Sequence, residues 1–275
     1  MAVTNFISTV WSETLLSQLD REYIGVANCN RDFEGDIKGK GSAVQIANIG
    51  AINVYDYDKN TDMLAPDTLQ TAAVTLTIDQ AKSFNFQIDD IDKAQTNPKL
   101  MEGAMKQAAA ALANVADSYV YGLCKDVIEG NTLSCEAVNV DNIIDYVVMA
   151  RQHLLKSGVN SNIATSLEIS PEVAAVLLRA KILNGSENTA ALENGLIGKL
   201  IGFDVYVSPN VVSSGGAYKC LARTKRAVAF AEQLNEVEAY RPETRFADAI
   251  KGLHLYGAKI VYPEEFVVLD MSLGE

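Results

Sequence analysis

PKLMEGAMKQAAAALANVADSYVYGLCKDVIE, residues 98–129, is the stretch on which the rest of the chain hangs. Asn97 stands where a side chain caps the first exposed amides of a helix. Pro98 stands where a fixed backbone angle costs nothing, and Gly130 marks a stop. Between them Met101, Met105, Ala108, Leu112, Val115, Tyr119 and Leu123 recur in steps of three or four. The pattern predicts one helix of roughly 48 Å, at ~1.5 Å per residue, with a continuous apolar stripe. Ala108–Ala111 keep it slim enough for other segments to approach its axis. Gly122 is its weak point, costing about 1 kcal/mol relative to alanine. A helix this long must lean on other elements, so it reads as a beam.

Upstream of the beam, from Ile37 to Ile88, the period switches to two. Val44 and Ile46, Ile52 and Val54, Val74, Leu76 and Ile78, then Phe84, Phe86 and Ile88 alternate with polar or small residues, as in strands with one buried face. The polar, turn-rich YDYDKNTDMLAPDT at 55–68 separates the halves, which makes a long two-stranded excursion with a loose tip. Such a ribbon is marginal alone and calls for a partner surface, expected on another subunit. Asp89, Asp90 and Asp92 form a polar junction ahead of the helix, where carboxylates favour its positive end. Residues 1–32 read as an arm that crosses other elements; in Ser8–Leu19, Val10, Trp11, Leu15 and Leu19 share a helix face, with Trp11 as anchor.

Downstream, Asp141–Lys156 is a second amphipathic helix closed by Gly158, and ATSLEI at 164–169 a short strand. Ser170 caps a third helix with Pro171 in its first position. The segment NGSENTAALENGLIGKLIG (184–202) reads as loop, FDVYVSPNV (203–211) as strand, and SSGG (213–216) as a flexible boundary. YKCLA, AVAFAEQ, EVEAY, HLYGAKIVY and FVVLD supply strands in the last sixty residues. The order is that of an α+β fold with one lobe inserted between two parts of another.

Composition narrows the function. With 275 residues, 48% of them hydrophobic, the chain buries a substantial core. It contains no apolar run of spanning length, and MAVTNFISTVWSETLL lacks the basic and apolar regions of a signal peptide, so a soluble, intracellular protein without membrane contact is expected. A net charge of -12 argues against a protein that grips nucleic acid through its phosphates. Cys29, Cys124, Cys135 and Cys220 are scattered without ligand spacing and read as reduced, packed thiols. His153 and His254, the only histidines, read as structural. GDIKGKGS at 35–42 imitates a phosphate loop but has three residues, not four, before the Gly-Lys pair. No catalytic, cofactor-binding or metal-binding residue is assigned. Arg241 and Arg245 in YRPETRF form a cationic pair on a turn stiffened by Pro242, suited to salt bridges between strands or subunits.

Taken together, these segments resemble the major capsid proteins of tailed double-stranded-DNA bacteriophages, those of the Hong Kong 97 type fold. FEGDIKGKGSAVQIANIG (33–50) and TLTIDQAKSFNFQIDDIDKAQ (75–95) are similar to the extended loop and its return. IGFDVYVSPNV (201–211) and AVAFAEQLNEVEAYRPETRFADAIKGLHLYGAKIVYPE (227–264) are similar to the inserted lobe and the closing strands. The resemblance implies an N-terminal arm at 1–32, an extended β-hairpin loop at 33–88, a peripheral domain with the spine helix at 89–135, an axial domain at 136–217, and peripheral closing strands at 218–275. It implies a structural protein without cofactors that assembles as homo-pentamers and homo-hexamers of an icosahedral shell. Axial domains would meet around the symmetry axes and loops would lie over neighbours, giving closed rings of identical contacts. Trp11, Lys38, Lys40, Tyr55, Tyr57, Arg241 and Arg245 are the candidate inter-subunit contacts.

The resemblance also implies a portal protein as partner, double-stranded DNA enclosed by containment, assembly in the bacterial cytoplasm and residence in the virion capsid. Some relatives carry a scaffolding segment ahead of the loop; residues 1–32 are too few for one, so a separate scaffolding protein is expected. Some relatives cross-link a loop lysine to an asparagine. Lys38, Lys40 and Lys59 are available, but no motif identifies the partner, and no cross-links are expected. The acidic balance suits an inner wall with little affinity for phosphate. The alternative within the same architecture is an encapsulin-like compartment shell, and from another class a soluble α+β enzyme.

Overall fold

The computed structural model describes residues 15, 17–33, 41–49, 59, 71–89, 100–180, 196–244 and 246–274. Its central helix, α1, runs Leu100–Gly122, 23 residues or roughly 34 Å. That is shorter than the pattern predicts. At Gly122 the helix gives way to a tighter 3-10 turn, Leu123–Asp126, which carries Leu123 and Cys124 into the core. Asn97 and Pro98 lie outside the described residues. The buried stripe is Met105, Ala109, Leu112, Ala113, Ala116 and Val120, while Val115 is 41% exposed and Ala108 and Tyr119 are only half-buried. The expected stripe is therefore rotated. Close packing selects the alanine side of the helix, and the bulkier Val115 faces out.

Two strands precede α1 as a ribbon, β1 (Ala43–Ile49) and β2 (Thr71–Thr77), antiparallel from Ala43↔Thr77 to Ile49↔Thr71. Ile52 and Val54 lie outside the described residues. Leu76 and Ile78 are fully buried and Val44 and Ile46 nearly so, packed on Ala229, Ala231, Leu255 and Val261 of the same chain. The base of the ribbon thus finds its cover within the subunit, against the expectation of a neighbour's surface. β3 (Gln80–Asp89) leaves the ribbon and joins a different sheet.

After α1 come β4 (Thr132–Val138), α2 (Ile143–Lys156), β5 (Thr165–Ile169), α3 (Pro171–Arg179), β6 (Leu196–Leu200), β7 (Phe203–Val207), β8 (Ser213–Ser214) and β9 (Ala217–Thr224). The closing strands are β10 (Val228–Tyr240), β11 (Ala247–Ile260) and β12 (Phe266–Leu273). The larger sheet runs β4-β12-β9-β5-β7-β6, with β8 on β9; the smaller is β10-β11-β3. β4 lies parallel to β12, and β5 to β7. The capping of α3 is as read, with the Val173 amide donating to Ser170 Oγ at 3.3 Å.

Four readings need correction, and one strand escapes the sequence pattern. Thr132–Val138, assigned to no element from the sequence, is a strand. Leu196–Leu200 is a strand and not loop, because Ile201 (φ 51°) and Gly202 (φ 83°) form the doubly left-handed two-residue turn that closes a hairpin onto Phe203–Val207. SSGG is likewise a hairpin turn, with Ser213 and Ser214 paired to Tyr218 and Ala217. AVAFAEQ and EVEAY are one strand, interrupted by an irregularity between Leu234 and Glu236, and His254 sits in mid-strand.

The main core lies between the helices and the two sheets and includes Leu167, Ile169, Phe203, Phe230, Tyr256, Phe266 and Leu269. All four cysteines are buried and free. Burial pushes the Cys135 and Cys220 thiols up to about 11 and about 12, so neither is a ready nucleophile.

Candidate functional site

The arm is threaded between the two sheets and held there by buried polar groups. Leu15 and Leu19 are fully buried, followed by Tyr23, Val26 and Cys29. Asp117 of α1 receives the amides of Ile24 (3.0 Å) and Val26 (2.9 Å). Arg223 of β9 donates to Gly25 O at 2.7 Å, Asn28 O at 3.0 Å and Cys29 Sγ at 3.2 Å. Its second Nη also donates to Glu168 Oε1 of β5 at 2.8 Å, an oxygen shared with Asn28 Nδ2 at 3.1 Å. Asn30 then adds a parallel bridge to β10: its amide donates to Val228 O and its carbonyl accepts from Phe230, each at 2.8 Å.

Burial pushes the carboxyls of Asp117 and Glu168 up, opposed by backbone amides at the first and by Arg223 and Asn28 at the second. Burial disfavours charge on Arg223, yet the Cys29 and Glu168 contacts outweigh it and raise its value. A buried charge with this many partners ties separate elements together instead of reacting.

A second node lies on β10. Glu232 accepts from Tyr23 Oη at 2.5 Å and Arg31 Nη2 at 2.5 Å, and His254 Nε2 lies 2.8 Å away. Burial pushes Glu232 up, but His254, Tyr23 and Arg31 together bring it below the ordinary carboxylate value. Tyrosine, glutamate and histidine in a row suggest acid–base work, but His254 is fully buried and Glu232 nearly so, which leaves no approach for a substrate. His153 bonds Asn131 Oδ1 at 2.9 Å. Among the described residues no group of His, Cys, Asp and Glu is placed to hold a metal ion.

The outer surface carries the second set of features. Phe246, in the turn between β10 and β11, is 83% exposed. Val148, Met149 and Leu155 are exposed on α2 and Leu178 on α3, so both helices present apolar residues outward. A groove of about 340 Å³ on the smaller sheet is lined by Ser83, Phe84, Asn85, Glu238, Lys251, Gly252 and Leu253. Its rim carries the Lys251–Glu238 ion pair at 2.7 Å.

Of the candidate contacts read from sequence, Arg241 lies beside Asp248, Nε to Oδ1 3.9 Å, across the β10–β11 turn. Trp11, Lys38, Lys40, Tyr55, Tyr57 and Arg245 lie outside the described residues, and Lys59 is an exposed turn residue. Sequence reasoning missed Asp117, Glu168, Arg223 and Glu232. Asp117, Glu168 and Glu232 each stand as a lone charge in NVADSYV, ATSLEI and AFAEQL, and that isolation was the available signal; Arg223, with Lys219, Lys225 and Arg226 close in sequence, carries none.

A family model described as phage capsid protein matches residues 71–269. No curated protein matches the sequence. Among solved structures, one from Mycobacterium phage Che8 is 30% identical, with 90% of each chain covered and a TM-score of 0.69. The capsid of Ralstonia phage GP4 is 12% identical, with 92% of this chain and 89% of that one covered and a TM-score of 0.68. The holo-SrpI encapsulin complex from Synechococcus elongatus PCC 7942 is 13% identical, covering 87% and 85% with a TM-score of 0.58. The last two likenesses are of fold alone.

Proposed function

From a chain that belongs to the phage capsid protein family and is a structural major capsid protein of the Hong Kong 97 type fold, we propose a shell of homo-pentamers and homo-hexamers closed around double-stranded DNA. Copies of the chain build the icosahedral capsid of the virion. The finer reading adds assembly in the bacterial cytoplasm on a separate scaffolding protein, with a portal protein at one vertex, and no covalent cross-links between subunits. In the domain reading, residues 33–88 reach onto a neighbour, 89–135 and 218–275 form the peripheral domain, and 136–217 form the axial domain.

The observation that carries this reading is the outward apolar surface. Exposed Val148, Met149 and Leu155 on α2, together with Phe246, gain by being covered in an assembly. With Trp11, Lys38, Lys40, Tyr55, Tyr57, Arg241 and Arg245, they are the proposed inter-subunit contacts. DNA is held by enclosure, in keeping with the net charge of -12.

Electron microscopy of the full chain expressed with and without its neighbouring genes tests the proposal. Closed shells containing nuclease-protected DNA are expected with those genes. Correctly sized shells from the chain alone would remove the scaffolding protein, and ladders on a denaturing gel would establish cross-links. Shells filled with an enzyme in place of nucleic acid would overturn the genome-container reading.

A further inference from the structure

The ribbon and the smaller sheet meet at one crowded point. Where β2 ends and the chain turns toward β3, the backbone of Thr77 and Ile78 passes over Gly257 of β11. A Cβ placed on Gly257 would stand 2.2 Å from Thr77 O, 3.0 Å from Thr77 C and 3.1 Å from Ile78 Cα. All three are backbone atoms, so no side-chain rotation makes room. Gly257 is not among the glycines of positive φ. Its missing side chain, not its conformational freedom, is what the site uses.

The surroundings form a seat. Ala231 faces Gly257 across the β10–β11 ladder, and Ala229 lies two residues along. These small residues make a shallow floor, bordered by Leu255 and Val261, into which Val44, Ile46, Leu76 and Ile78 pack. Ile78 is fixed from both sides of its peptide: its amide donates to Ser42 O at 3.0 Å and its carbonyl accepts from Gly41 N at 2.9 Å. The ribbon is thus clamped at its base by apolar contact, hydrogen bonds and one close backbone crossing.

We infer that Gly257 is a positioning residue for the ribbon: its contact with the Thr77–Ile78 backbone sets the direction in which the ribbon leaves the subunit before any neighbour is met. The consequence for assembly rests on the shell reading, in which the ribbon reaches a second copy of this chain. The seat itself does not rest on it. A neighbour thus receives a ribbon whose aim is already set at its base.

The test compares three variants of the full chain. Gly257→Ala intrudes on the crossing, Val44→Ala with Ile46→Ala loosens the clamp from the ribbon side, and Ile250→Val trims the main core on the same strand. Amide exchange is followed at Gly41, Ile78, β1 and β2, and at β9 and β12 as reference, and particles are viewed by electron microscopy. Gly257→Ala and the double variant should speed exchange at the ribbon base by roughly tenfold or more while leaving the reference strands unchanged. Both should lose closed shells in favour of irregular assemblies, whereas Ile250→Val should keep them. Normal exchange at the ribbon base in Gly257→Ala, or closed shells despite fast exchange there, would overturn the inference. If Gly257→Ala fails to fold, the double variant decides by the same readings. If the unaltered chain forms no shells, the shell reading fails while the exchange comparison still decides the seat.

Discussion

Arg223 and Glu168 meet at 2.8 Å with both side chains wholly buried, and the arm's backbone carbonyls at Gly25 and Asn28 accept from the same guanidinium. Taking away one member of such a pair leaves the other charge unmatched in the interior, at a cost of ~3–5 kcal/mol. Arg223→Met should lower subunit stability by about that amount. Glu168→Gln, which keeps an acceptor oxygen for Asn28 and Arg223, should cost less. Urea denaturation midpoints check the order, and an Arg223→Met, Glu168→Leu double variant should recover part of the loss.

Acid should loosen the Glu232 node selectively. Burial pushes that carboxyl up, but His254, Tyr23 and Arg31 hold it below its ordinary 4.5, so the unfolded chain takes up the proton first. Its contribution is present above 4.5 and is lost as pH falls from there through the folded value. Asp117 and Glu168 are pushed up by burial and have the opposite sign: acidification favours their folded forms. Glu232→Gln should therefore be less stable than the parent at neutral pH, with a deficit that shrinks below 4.5. Denaturation midpoints of both proteins across that range decide it.

Within the alanine run of α1, Ala109 is fully buried and Ala111 exposed. Ala109→Leu should cost ~1–3 kcal/mol through overpacking and should impair assembly. Ala111→Leu should change stability by no more than about 0.5 kcal/mol. Thermal unfolding and particle yield measured side by side test both. Normal particles from Ala109→Leu would show that the helix is less tightly packed than its alanine face indicates.

Phe246→Ser and a Val148→Gln, Leu155→Gln pair alter exposed residues, so each change should leave subunit stability within about 0.5 kcal/mol. Shell yield should fall sharply in both. Sedimentation of assembled against free subunits provides the measurement, and unchanged yields would place the inter-subunit contacts elsewhere.

Local signals carried much of this fold. Ser170 and Pro171 announce a helix start, and Val44, Ile46, Leu76 and Ile78 alternate as they should, because capping and period are written in neighbouring residues. What escaped was set by distant parts of the chain. The rotation of the α1 stripe depends on how closely the sheets approach Ala109 and Ala113. The cover over the ribbon base comes from Ala229, Ala231 and Gly257, residues with no strong pattern of their own. The arm lock was illegible for a related reason: Asp117, Glu168, Arg223 and Glu232 acquire partners only once the arm, α1, β5, β9, β10 and β11 are assembled.

β12 lies between β4 and β9, and its partner β4 is separated from it in sequence by the whole of the helices and strands from α2 to β11. Until Phe266–Leu273 arrives, Thr132–Val138 and Ala217–Thr224 each keep an open edge along which another chain could pair. Closing that gap is a long-range and hence slow event. A subunit whose Phe266–Leu273 is displaced would therefore offer both edges to a second copy, a route to clumping in place of ordered association.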